Sequence, residues 1–187
     1  MGCQTGVIRT RVGYTGGTKK NPTYHDLGDH TETVQVDFDP QMISYPDLLD
    51  IFWSSHEATQ RSWSRQYMSA VFCHDAEQTR QAREQKEKRE KQTGQRLQTE
   101  IFEAAEFYLA EDYHQKYMLQ GDHSLMREFR SMYPDFTDFL NSTAAARVNG
   151  YLYGCRSLTD LRVELGSLGL SAEGNARLLE RVARLHV

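Results

Sequence analysis

Thr31-Glu-Thr-Val-Gln-Val-Asp-Phe-Asp39 alternates with the two-residue period of a strand. Thr31, Thr33, Gln35 and Asp37 fall on one face and Glu32, Val34, Val36 and Phe38 on the other. An apolar strand face requires a core beneath it, and Glu32 is aligned with that face. Burial there would favour a protonated, proton-donating carboxyl; the alternative is a strand-end carboxylate turned to solvent. Asp39-Pro40 closes the strand. Downstream, Ser44 is placed to cap a helix over residues 45–55, in which Leu48, Leu49, Phe52 and Trp53 recur at helical spacing. Upstream, the β-branched run over residues 7–12 predicts a strand, and Gly13-Tyr-Thr-Gly-Gly17 a loop after it. Residues 67–73 and 97–102 read as further strands on either side of a helix over 77–92. Past Gln120-Gly121 the period is helical throughout, carried by Leu125, Met126 and Phe129, by Leu158, Leu161 and Leu165, and by Leu178, Leu179 and Val182.

The 187 residues have room for one domain with an appended bundle, and 39% hydrophobic against 26% charged residues predicts a globular chain. A formal charge of −4 supplies no basic field, so nucleic acid is not an expected partner. The charged run Arg80 to Lys91 reads as a solvated helix face, with Glu84 four before Lys88 and Glu87 four before Lys91. No apolar stretch approaches the roughly 20 residues of a membrane span and no secretory h-region is present, so the expectation is a cytoplasmic protein without a membrane partner. Cys3, Cys73 and Cys155 have neither zinc-site nor disulfide-scaffold spacing, which suggests free thiols; Cys73, in Ala70-Val-Phe-Cys73, reads as a buried inert one. His25-Asp-Leu-Gly-Asp-His30 offers two His and two Asp, but at a spacing that fits no familiar ligand set, so no metal is expected.

Three segments in order carry a resemblance: Arg11-Val-Gly-Tyr-Thr-Gly-Gly17 with Asn21-Pro-Thr-Tyr24, then Asp29-His-Thr-Glu32 running into Asp37-Phe-Asp-Pro40, then Phe107-Tyr-Leu-Ala-Glu-Asp-Tyr-His-Gln115. Ile51-Phe-Trp53, His56, Thr59-Gln60 and Gln66-Tyr-Met-Ser69 fall between them in the same order. Over roughly residues 6–117 the chain resembles the peptide methionine sulfoxide reductase A family. The resemblance implies an α+β fold, a mixed-sheet two-layer domain over residues 1–118, here followed by an all-helical extension over 119–187. It also implies reduction of methionine S-sulfoxide, in proteins or as the free amino acid, with thioredoxin or another dithiol as reductant and no bound cofactor. Protein repair under oxidative stress is the role that goes with it.

Attack of a thiolate on a sulfoxide sulfur drives negative charge onto the oxygen, which needs donors as the bond rearranges. The family's Glu and two Tyr donors match Glu32, Tyr24 and Tyr67. Either Tyr taken alone could be an ordinary core or loop residue. Asp112 and His114 match a segment of the family and read as pocket or supporting residues, the alternative being that they brace the fold.

The chain departs from the family in three places. The family's nucleophile lies in Gly-Cys-Phe-Trp-Gly at a helix start, where the dipole lowers the thiol pKa; this sequence has only Gly2-Cys3-Gln-Thr-Gly6, read as an N-terminally truncated or divergent form. Cys3 is then the attacking sulfur by its nearness in sequence to the matched pocket, in a terminus expected to be flexible, and turnover is expected near background. Arg61-Ser-Trp-Ser-Arg65 replaces a Gly-Asn-Asp stretch, removing an acidic partner of the Tyr67 position. Finally, Asn149-Gly-Tyr-Leu-Tyr-Gly-Cys155 weakly matches the family's C-terminal segment and makes Cys155 the candidate resolving thiol, the alternative being a structural thiol. The alternative to a reductase is a catalytically inactive member that binds oxidised peptides or a protein partner.

Overall fold

The computed structural model describes residues 1–185. Its strands are β1 (Val7–Thr15), β2 (Thr31–Phe38), β3 (Ala70–Cys73), β4 (Glu100–Glu103) and β5 (Tyr108–Leu109). The helices are α1 (Tyr45–Ser54), α2 (Ala76–Thr93), α3 (Tyr117–Gln120), α4 (His123–Met132), α5 (Phe136–Asn141), α6 (Thr143–Leu152), α7 (Leu158–Glu164) and α8 (Ala172–Ala183). The class is α+β. The strands form two small sheets, one in the order β2-β1-β5 and one pairing β3 with β4 in parallel. β1 runs three residues past Val12, and the turn comes at Gly16, whose φ of +80° suits a residue without Cβ.

Contacts cluster the chain into two units, one of residues 1–11, 35–42 and 112–187 and the other of residues 12–34 and 43–111. This division differs from the boundary at 118/119 read from the sequence. The first eleven residues group with the helices because Cys3 lies in their core and is bonded to Cys155.

In the helical unit, α3 to α8 enclose one cluster that includes Leu119, Leu125, Phe129, Leu161, Leu178 and Val182, each fully buried. Helix starts are set by side-chain caps: Asp122 accepts from the Leu125 N–H, Ser142 from Ala145 and Ser171 from Gly174. Lys116 is 3% exposed and takes a left-handed backbone, φ 49°. Its ammonium donates to the carbonyls of Thr10 and of Leu140, the latter at 3.0 Å. Burial, and then the Arg11 guanidinium, bring its pKa down to about 8.

In the other unit, β3-α2-β4 forms a parallel crossover in which Phe72 stacks on Phe102. Ser44 and Asp47 make the reciprocal capping box at the start of α1. Leu49, Trp53, Cys73, Ala82 and Leu97 form one core cluster, and Tyr14, Leu27 and Ala110 a second. α2 is solvated, as its charge pattern predicts, with Arg80 on Glu77 and Glu84. No helix among the described residues is long and apolar enough to cross a membrane.

Candidate active site

β2 carries Glu32 beside a loop that holds Gln66 and Tyr67. The backbone fixes this proximity: the Glu32 N–H donates to the Gln66 carbonyl at 2.9 Å, and the Thr31 hydroxyl to the Arg65 carbonyl at 3.1 Å. The Gln66 side-chain amide donates at 2.5 Å to Glu32 Oε1 and at 3.1 Å to the Tyr67 hydroxyl. The Tyr67 hydroxyl is in turn hydrogen-bonded to Tyr24. That bond first, then partial desolvation and the Glu32 charge, raise the Tyr67 pKa and hold the phenol protonated.

Tyr24 is positioned by Glu111. One carboxylate oxygen accepts the Tyr24 N–H at 3.0 Å and the other the hydroxyl of buried Tyr14 at 2.6 Å. Glu32, Tyr24 and Tyr67 are thus brought into one hydrogen-bonded chain, and Gln66, absent from the residues singled out in sequence, is its link. Its signal was its place directly before Tyr67. Glu111 was missed because nothing in its spacing separates it from Asp112.

The site is more open than the strand pattern implies. Glu32 is half-buried, Tyr67 is 45% exposed, and Val34, on the same strand face as Glu32, is 47% exposed, because β2 lies at the edge of its sheet. An enclosed, apolar setting for Glu32 is therefore corrected to an open, hydrogen-bonded one.

The His25–His30 run is a loop clasp. Asp29 accepts from the backbone of Thr18 (2.8 Å) and Lys19 (3.3 Å), which lowers its pKa to about 2. His30 Nδ1 accepts the Gly17 N–H while Nε2 meets the Lys19 carbonyl, and Asp26 pairs with Lys19. No cluster among the described residues has the make-up of a metal site.

The thiols differ from the expectation of three free cysteines and a mobile Cys3. Cys3 is fully buried in a turn closed by Gln4 N–H to Met1 O and Val7 N–H to Gln4 O, and it forms a disulfide with Cys155. It packs in the core of the helical cluster. Cys73 is free and buried, its sulfur 3.6 Å from the Tyr45 hydroxyl. Asp112 and His114 lie in a 3₁₀ turn at the start of the helical unit's last segment, where the Asp112 carbonyl accepts from the Gln120 side chain.

Comparison with known proteins identifies the family. The sequence profile of peptide methionine sulfoxide reductase matches residues 1–143. A peptide methionine sulfoxide reductase of Drosophila melanogaster is 40% identical over 172 residues, 91% of this chain and 69% of the relative. Peptide methionine sulfoxide reductase A5 of Arabidopsis thaliana is also 40% identical, over 81% of this chain and 61% of its own length. Among solved structures, methionine sulfoxide reductase A of Corynebacterium diphtheriae superposes with a TM-score of 0.56 at 33% identity, covering 63% of this chain and 65% of that one. The reduced form of Mxr1 from Saccharomyces cerevisiae gives 0.57 at 26% identity, covering 60% and 71%. The relatives that this chain matches are named as reductases of methionine sulfoxide. The chain belongs to the peptide methionine sulfoxide reductase family and spans 61–69% of these two curated relatives.

Proposed function

We propose that the chain reduces methionine S-sulfoxide through thiol chemistry, with the sulfoxide oxygen received by Glu32, Tyr24 and Tyr67. The observation that carries this reading is the continuous Glu32–Gln66–Tyr67–Tyr24 hydrogen-bonded chain, in which two phenols and a carboxyl converge. As a thiolate attacks sulfur, the oxygen gains charge and takes one proton through this network. Gln66 holds the carboxyl and one phenol in register, so their orientation is set before substrate arrives. The sulfoxide S–O bond then breaks as its hydroxyl passes to the cysteine sulfur, so methionine leaves and the cysteine becomes a sulfenic acid; a second thiol attacks that sulfur and releases water to give a disulfide.

Cys3 as attacking and Cys155 as resolving sulfur are the assignments to test. Their disulfide corresponds to the oxidised end of such a cycle, which thioredoxin or another dithiol would reduce by two electrons before the next turnover. Asp112 and His114 are proposed as supporting residues, and the setting as cytoplasmic protein repair under oxidative stress. A reductase is favoured over an inactive sulfoxide-binding member by 40% identity to a named reductase over most of the chain.

The test is turnover of the S and R sulfoxides of N-acetylmethionine amide with dithiothreitol, in the wild type, Cys3→Ser and Cys155→Ser. The reading expects S-specific methionine formation, lost in Cys3→Ser. In Cys155→Ser one methionine is released per chain and a sulfenic acid, trappable by dimedone, accumulates before the reductant is added. Equal turnover of both isomers, or full turnover without Cys3, would reject it.

A further inference from the structure

Trp63 is 85% exposed, although an indole left in water forgoes one of the largest apolar contributions a side chain can make. The loop that presents it is fixed. Ser62 Oγ donates to the Ser64 carbonyl at 2.9 Å and accepts the Ser64 N–H at 3.3 Å. Arg65 Nε donates to the Asp29 carbonyl at 2.7 Å and Nη2 to the Gly16 carbonyl at 2.9 Å. The Arg65 carbonyl itself accepts from Thr31 Oγ1 and from the Met68 N–H. Against this frame the indole meets the Tyr67 ring, with centroids 5.5 Å apart and planes inclined at 52°.

A methionine sulfoxide whose oxygen sits at the Tyr67 hydroxyl has its Cα only a few bonds away, which brings the flanking chain within reach of the ring that the indole meets. We propose that Trp63 is a specificity-determining residue that receives the peptide flanking the oxidised methionine and so selects peptide-bound over free methionine sulfoxide. Neutral amides and aliphatic carbons stack on an indole face at little desolvation cost. The free amino acid brings a hydrated ammonium and carboxylate to the same place; the ring attracts the first and disfavours the second. The inference rests on the reading of Tyr67 and its partners as the sulfoxide site.

The experiment measures Kd by calorimetry for free methionine S-sulfoxide and for a blocked Gly-Met(S-sulfoxide)-Gly peptide, on the full chain in wild type, Trp63→Ala and Trp63→Phe. The wild type is expected to bind the peptide about tenfold more tightly than the free amino acid. Trp63→Ala removes that advantage by weakening the peptide alone, and Trp63→Phe restores most of it. Because Trp53 is only 5% exposed, iodide quenching reads Trp63, and the peptide should shield it. Equal weakening of both ligands in Trp63→Ala, or no change in either, overturns the assignment while leaving the sulfoxide site standing. Binding of neither ligand by the wild type overturns both.

Discussion

The helical unit and the β-strand unit are ordered by different forces. Among the described residues, ten side chains of the helical cluster are wholly removed from water in one continuous core. The other unit divides its apolar residues between two small clusters, and its loops are pinned by polar groups: Asp29 and His30 on residues 17–19, Arg65 on two carbonyls, Glu111 on Tyr24 and Tyr14. Apolar packing sets where helices lie but aims no proton. The hydroxyls of Tyr24 and Tyr67, proposed to meet a sulfoxide oxygen, have directional partners in the polar-pinned unit.

The contrast is sharpest in stability. Phe129→Ala should cost about 3–5 kcal/mol, as for other fully buried aromatics, whereas Tyr67→Phe should cost less than about 1 kcal/mol, since the ring is partly exposed and only its hydroxyl is lost. Urea unfolding of the two variants measures this; equal costs would break the comparison.

Lys116 sharpens it within the helical unit. With its pKa brought down to about 8 in the fold and an ordinary value of 10.5 in the unfolded chain, the unfolded state holds the extra proton between these values. Stability therefore rises with pH from about 8 to about 10.5 and is flat in this respect below 8. A shift of this size corresponds to about 3 kcal/mol. The difference in unfolding free energy between wild type and Lys116→Met, followed from pH 7 to 10.5, should change by that amount in favour of wild type. A pH-independent difference would mean that the ammonium is not desolvated.

These two regions also differ in how far sequence reveals them. Apolar period and caps such as Ser44 mark α1, α4 and α8, and i,i+4 charge spacing marks α2, because helices are built from contacts a few residues apart. The strand expected to begin at Tyr67 begins at Ala70, since Arg65 to Gln66 bond to β2 instead, and Leu97 and Gln98 are drawn to Glu90 and Ala58 rather than to a ladder. Glu32, Tyr24 and Tyr67 were legible through the order of resembling segments. Glu111 and the clamp by Arg65 were not, because each depends on long-range closure that local pattern does not encode.

The smallest effect expected is at Asp29. Its pKa of about 2 lies below the ordinary 3.8 because of the Thr18 and Lys19 N–H groups. The stabilisation it gives is present above pH 3.8 and is lost as pH falls through about 2. Acid titration followed by near-ultraviolet circular dichroism should show a shallower loss of loop structure between these values in Asp29→Asn, and an unchanged profile would remove Asp29 from the polar frame.

The hydrogen-bonded network of Glu32, Gln66, Tyr67 and Tyr24 is proposed to stabilise the sulfoxide oxygen and deliver its proton. The most direct test is kcat/KM for a methionine S-sulfoxide peptide in Glu32→Gln against wild type, with melting temperatures measured alongside. The account predicts a loss of about 100- to 10,000-fold with melting unchanged, as for removal of a general acid. Wild-type kcat/KM in a folded Glu32→Gln protein would contradict it.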